Sequence, residues 1–108
     1  MPKKLTSDEA VPTLLHERLI LWGQSIRAQR LSQRITSPEL ARRMNVSRAT
    51  LQRLERGDPG ASATGYLRAF FVLGILDDLA PPPSATLWTD PGVRRVVHRR
   101  GTADDDDF

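Results

Sequence analysis

Cysteine is absent from the chain, so no disulfide framework, thiolate nucleophile or cysteine-bound zinc can be built, and a reducing compartment is the expected setting. Histidine is almost as scarce. His16 and His98 stand isolated, without a serine, aspartate or second histidine at catalytic spacing, and read as surface residues. Asp77 and Asp78 have no further ligands nearby and read as polar residues at a helix end. No glycine loop that would cradle a phosphate, nucleophile with its base or metal-ligand cluster is found, so an enzyme is not expected, nor a cofactor or metal. The start, "MPKKLTSDEAVP", lacks the apolar centre of a signal peptide, and no apolar run approaches a membrane span. A soluble, cytoplasmic protein with no membrane partner is therefore expected. At 108 residues the chain has room for one small domain plus tails, and none for a cleft between lobes.

Charge is more informative in its distribution than in its sum. The formal net charge is only +3, yet four aspartates stand together from Asp104 to Asp107, while Leu14 to Gly57 holds nine arginines against three glutamates, a local +6. A basic half joined to an acidic tip points to a polyanionic partner for the basic half.

The spacing predicts helices in most of the chain. Leu15, Leu19, Trp22 and Ile26 fall on one helical face, giving a long first helix from Thr13 to near Leu31, with Gly23 as a point of close packing. "ITSPELARRMN" carries two competing start signals, a Thr36 to Glu39 capping box and Ser37 ahead of Pro38. The short helix that follows ends at Asn45, which tolerates left-handed backbone, and Ser47 can cap a third helix running to about Arg56. Ser62 is expected to cap a fourth helix, carrying Tyr66, Leu67, Phe70, Phe71 and Leu73 and closed at Gly74. Trp22, Phe70 and Phe71 are core by default. "ILDDLA" reads as a last helical turn that the prolines from Pro81 to Pro83 cut off. The division expected is a flexible N-terminal arm over 1–12, a helical domain over 13–80 and a C-terminal tail over 81–108. Beyond the proline and aspartate runs there is no low-complexity segment, and no internal repeat.

Two short helices joined by a few residues, with Ala41 small at the crossing and Val46 apolar in the turn, form a helix-turn-helix unit. Leu51 and Leu54 set the buried side of the third helix. At about 100° per residue this sends Ala49, Gln52, Arg53 and Arg56 outward, with Arg48 and Thr50 on the flanks. An arginine fork matches guanine O6 and N7, glutamine pairs with adenine N6 and N7, and a small apolar residue can touch a thymine methyl. Arg48, Ala49, Gln52 and Arg53 are thus candidate base readers. Ser47, Thr50 and Arg56 are placed to reach phosphates, helped by the positive helix start. Arg43, like Arg42, stands between phosphate contact and plain solubility, and Arg27, Arg30 and Arg34 between backbone contact and water.

At these residues a family resemblance emerges. "ITSPELARRMNVSRATLQRLERG" resembles the lambda-repressor-like, Xre/Cro helix-turn-helix pattern "LTQxELAxxxGVSxxTLSRLERG" over Ile35 to Gly57, and Leu21 to Leu79 resembles its five-helix arrangement. The resemblance implies an all-α domain that binds double-stranded operator DNA as a homodimer. Ser37 and Pro38 occupy the place of the family's phosphate-contacting glutamine and its neighbour, so Ser37 enters the backbone set. Asn45 replaces the usual turn glycine. "LERGDPGAS" with "LGILDDLAP" is similar to HipB-type antitoxin repressors, which implies autoregulation of an operon and a HipA-like kinase toxin as partner. Phage-type or restriction-modification regulators share much of the pattern, and an adaptor using the same fold on an acidic protein is the reading from another class.

The tail offers fewer signals. Trp88 lies past the expected domain, where an aromatic either anchors in a partner's pocket or folds back on its own domain or a dimer mate. "VRRVVHRR" reads as a short strand pairing across a two-fold axis or as an arm adding phosphate contacts. The aspartate run is a solvated terminus, or a decoy competing with DNA for the arginine face.

Overall fold

The computed structural model describes residues 11–92. His98, the "VRRVVHRR" segment, the Asp104 to Asp107 run and all but the last two residues of the N-terminal arm lie outside the described residues. Among the described residues there are six helices and no strand: α1 (Thr13–Ser32), α2 (Ser37–Met44), α3 (Arg48–Glu55), α4 (Ala63–Leu73), α5 (Leu76–Leu79) and α6 (Ala85–Trp88). The fold is all-α, as expected. The sixth helix, one turn beyond the prolines, was not expected. No helix of the described residues is long and apolar enough to cross a membrane.

Local chemistry explains the punctuation. The competing start signals of α2 resolve in favour of Thr36, whose hydroxyl accepts from the Glu39 amide at 3.3 Å. Ser47 and Ser62 cap α3 and α4 in the same way, accepting from Thr50 at 3.0 Å and Gly65 at 2.9 Å. The four longer helices share one ending. After α1, α2, α3 and α4 a left-handed residue appears, Arg34, Asn45, Gly57 and Gly74 respectively. The amide that follows each, on Ile35, Val46, Asp58 and Ile75, then bonds back to a carbonyl five residues earlier at 2.9 to 3.1 Å. Gly74 and Asn45 behave as their types predict. Arg34 does not, and its φ of 61° carries a strain that glycine would avoid.

The core is formed where α1, α2, α3 and α4 converge. Ile26, Leu40, Met44, Leu51, Leu54, Tyr66, Ala69 and Phe70 are buried, with Leu19, Trp22, Val46, Ile75 and Leu79 packed against them. The Trp22 ring meets the Phe70 ring edge-on, with centroids 5.0 Å apart. Gly23 is the close approach expected of it: a Cβ there would lie 2.6 Å from the carbonyl oxygens of both Leu54 and Glu55, so α1 and α3 touch backbone to backbone. Gly57 repeats this on the next turn, where a Cβ would lie 2.6 Å from the Ile20 Cα.

Two core expectations are corrected. Phe71 is 71% exposed, because the buried side of α4 is the row of Tyr66, Ala69, Phe70 and Leu73, and at about 100° per residue Phe71 falls outside it. Leu15 is exposed because α1 continues outward past its crossing with Gly57 near Leu19 and Ile20.

Candidate nucleic-acid interface

The α2–α3 unit presents one face of α3 to solvent. Leu51 and Leu54 are buried beneath it, and Arg48, Ala49, Gln52 and Arg56 are exposed above, with Thr50 and Arg53 half-buried at its margins. Among the described residues, Arg48, Gln52 and Arg56 make no side-chain hydrogen bond or ion pair. Their donors point into water, which is the condition for offering them to an anionic ligand without first breaking an internal contact.

Other candidates are already engaged. The Ser47 hydroxyl accepts from the Thr50 amide and donates to Thr50 Oγ1 at 3.0 Å. Thr50 therefore keeps its own hydroxyl proton for an outside acceptor, whereas Ser47 is committed to the cap. Arg43 Nε donates to Glu39 Oε2 at 2.9 Å, and Arg42 holds the other oxygen of the same carboxylate. Those hydrogen bonds, led by that of Arg43, hold the Glu39 carboxyl below its ordinary range. Glu39 thus faces its arginines rather than reaching back to close the capping box. Ser37 is half-buried in the first turn of α2.

Arg53 has a partner that sequence reasoning missed. Its Nε donates to Asp58 Oδ2 at 2.8 Å. The other oxygen, Oδ1, accepts from the Gly60 amide at 2.8 Å. The Arg53 hydrogen bond, with that of Gly60 second, holds the Asp58 carboxyl below the usual aspartate range. Tyr66 supports the loop from below, donating its hydroxyl to the Asp58 carbonyl at 2.9 Å; burial, reinforced by the Asp58 charge, pushes its pKa up to about 12, so it remains a donor. The signal in the sequence was the "DPG" turn, since aspartate two residues before a glycine commonly accepts from its amide.

Arg30, expected at the DNA backbone or in water, is at neither. It is buried, with Nε donating to Glu55 Oε2 at 2.8 Å and Nη1 to the Ile35 carbonyl at 3.1 Å. The Arg30 and Glu55 side chains are only 7% and 11% exposed. This pair ties the end of α1 to the end of α3 and fixes the direction in which the outer face points. Two other long side chains brace the unit at helix ends: Arg68 donates to the Met44 carbonyl at 3.1 Å, and Gln33 to the Leu73 carbonyl at 2.9 Å.

Trp88 stands apart from this face. Its indole nitrogen donates to the Pro83 carbonyl at 3.2 Å within its own turn, and the residue is 68% exposed, so among the described residues it enters no core of its own chain. His16 is half-buried on α1, and Asp77 and Asp78 are exposed on α5.

Residues 26–64 match the family model described as helix-turn-helix. The span runs from Ile26 on α1 into the first turn of α4 and takes in both short helices and the Arg53–Asp58 loop. It is similar there to Xre, lambda-repressor-like units, a family of DNA-binding transcription regulators. No curated protein and no solved structure matches the chain.

Proposed function

We propose that this protein is a sequence-specific DNA-binding repressor that lays α3 in the major groove. The observation that carries the reading is the outer face of α3, where Arg48 and Gln52 flank Ala49 and neither polar side chain has a partner among the described residues. In this reading Arg48, Ala49, Gln52 and Arg53 meet base edges, and Thr50, Arg56 and the exposed start of α3 meet phosphates. Ser47 contributes by holding that start in shape. Arg43 reaches phosphate only by sharing or leaving Glu39, and Ser37 supplies a shorter anchor at the start of α2. One helix covers few base pairs, so a homodimer on a palindromic operator with half-sites about 34 Å apart completes the site.

Binding to duplex fragments from the protein's own promoter, with and without competitor DNA, tests this directly. Arg48→Ala is expected to weaken the specific complex by about 1 to 3 kcal/mol and to relax preference at one base position. A loss that is equal on every duplex would demote Arg48 to a phosphate contact, and no binding to any duplex would favour an adaptor using the same face on an acidic protein.

The finer reading is an antitoxin that represses its own operon and restrains a HipA-like kinase toxin. The "LERGDPGAS" and "LGILDDLAP" segments support it by resemblance, and the exposed Trp88 supports it as an aromatic anchor outside the DNA face. Co-purification with a kinase encoded beside it, abolished by Trp88→Ala while operator binding persists, is the expected result. Binding to DNA with no such neighbour would leave a phage-type or restriction-modification regulator.

A further inference from the structure

Among the described residues, Arg53 does not extend freely from α3 as Arg48 and Arg56 do. Its guanidinium is held by a carboxylate that is itself fixed at every polar atom. The Asp58 amide donates to the Arg53 carbonyl at 3.1 Å, and its carbonyl accepts from the Ala61 amide at 3.1 Å. That carbonyl also accepts from the Tyr66 hydroxyl, and Tyr66 is only 1% exposed. Oδ1 takes the Gly60 amide, which leaves Oδ2 aimed at Arg53 Nε. The guanidinium also lies against Gly60, where a Cβ would stand 3.0 Å from Nη2. The chain of support runs from a buried tyrosine through a rigid loop to the tip of one arginine. That arginine side chain nonetheless stays 43% exposed, within reach of a ligand.

A guanidinium has two edges that can pair with a planar acceptor, one that uses Nε and one formed by Nη1 and Nη2. With Nε occupied by Asp58, the end-on edge is the one left for an acceptor pair such as guanine O6 and N7. Ordering a long side chain before the ligand arrives also removes part of the entropy that binding would otherwise lose. We infer that Asp58 is a positioning residue for DNA reading: by holding Nε of Arg53 it directs the Nη1 and Nη2 edge of that arginine at a guanine and so sets base preference at one position of each half-site. This rests on the proposed function above and adds to it the residue that aims the reader. A purely structural Asp58 would close the loop after α3 and leave base preference alone.

Asp58→Asn separates the two, because the asparagine oxygen can still accept from the Gly60 amide while the charge that holds Arg53 is gone. Wild type, Asp58→Asn, Arg53→Ala and the double variant are each taken through selection from a random pool of duplexes, after thermal melts establish folding. The wild type is expected to enrich a guanine that Arg53→Ala loses. Asp58→Asn is expected to lower that preference by about tenfold, and the double variant to match Arg53→Ala. An unchanged preference in Asp58→Asn, or losses that add in the double variant, overturns the inference and leaves the DNA reading standing; a wild type that enriches no sequence overturns the DNA reading and the inference with it. A second measurement needs no DNA and only the wild-type fold. The Arg53 Nε–H in the free protein is expected to give an ordered, slowly exchanging NMR signal, and a mobile one overturns the inference.

Discussion

Helices α2 and α3 are each eight residues long, each starts at a hydroxyl cap and each carries a glutamate within reach of arginine. Their ion pairs nevertheless do opposite things. Glu39 on α2 collects Arg42 and Arg43 from its own helix in solvent, so its one charge offsets only part of theirs and nothing distant is held. Glu55 on α3 turns inward and meets Arg30 from α1, across a contact so close that Gly23 has no room for a side chain. One helix engages its outer arginines with an acid of its own; the other anchors its acid underneath and leaves Arg48 and Arg56 outward. Residue composition alone does not distinguish these outcomes, because an ion pair is worth little in water and becomes structural only when both partners are desolvated together.

The largest effect expected from breaking this contrast is that of Glu55→Ala, which strands the buried Arg30 charge and is expected to cost about 3 to 5 kcal/mol in urea unfolding. Replacing both partners by apolar residues of similar volume should recover most of it. Gly23→Ala attacks the same junction from α1 and is expected to cost about 1 to 3 kcal/mol, since the methyl would press on the carbonyls of Leu54 and Glu55 and only a backbone shift can relieve it. A melting temperature equal to wild type would show that the two helices are not in contact there.

The caps provide a finer comparison. Ser47→Ala is expected to cost about 1 kcal/mol, and Thr36→Ala less, in keeping with hydrogen bonds of 3.0 Å on α3 and 3.3 Å on α2. The smallest effect on stability is expected from Glu39→Ala. The Glu39 carboxyl is held below the ordinary glutamate range in the folded chain, chiefly by the Arg43 hydrogen bond, so its contribution is complete above that range and is lost as pH falls through the folded pKa. The acid limb of the stability curve should therefore be slightly flatter in the variant, and the difference should shrink with salt. The same substitution should make DNA binding more salt-dependent if the released Arg43 takes up a phosphate, and an unchanged salt slope would remove Arg43 from the backbone set.

Most of the fold was legible as periodicity and punctuation. Leu40, Met44, Leu51 and Leu54 mark the buried sides of α2 and α3, Asn45 and Gly74 supply left-handed ends, and Ser47 and Ser62 declare helix starts. The outer face of α3 was legible for the same reason, since a helix that buries Leu51 and Leu54 must turn Ala49 and Gln52 away. Arg30 could have been placed too: it continues the row of Leu19, Trp22 and Ile26 by one more turn, and an arginine on a core-facing row calls for a buried acid. Phe71 was misplaced because apolar character does not say which of two adjacent aromatics faces the partner helix.

By itself, then, the sequence determined the first five helices, the ends of α2, α3 and α4 and the side of α3 that carries arginine and glutamine, because these follow from interactions within a few residues. Only the tertiary structure decided which arginines are spent and which remain available. It brought Glu55 to Arg30 across 25 positions, turned Arg34 left-handed so that Ile35 could enter the core, and set Asp58, held by Tyr66, against Arg53. Those pairings depend on where separate elements come together in space, and the spacing of charges along a chain does not encode that distance.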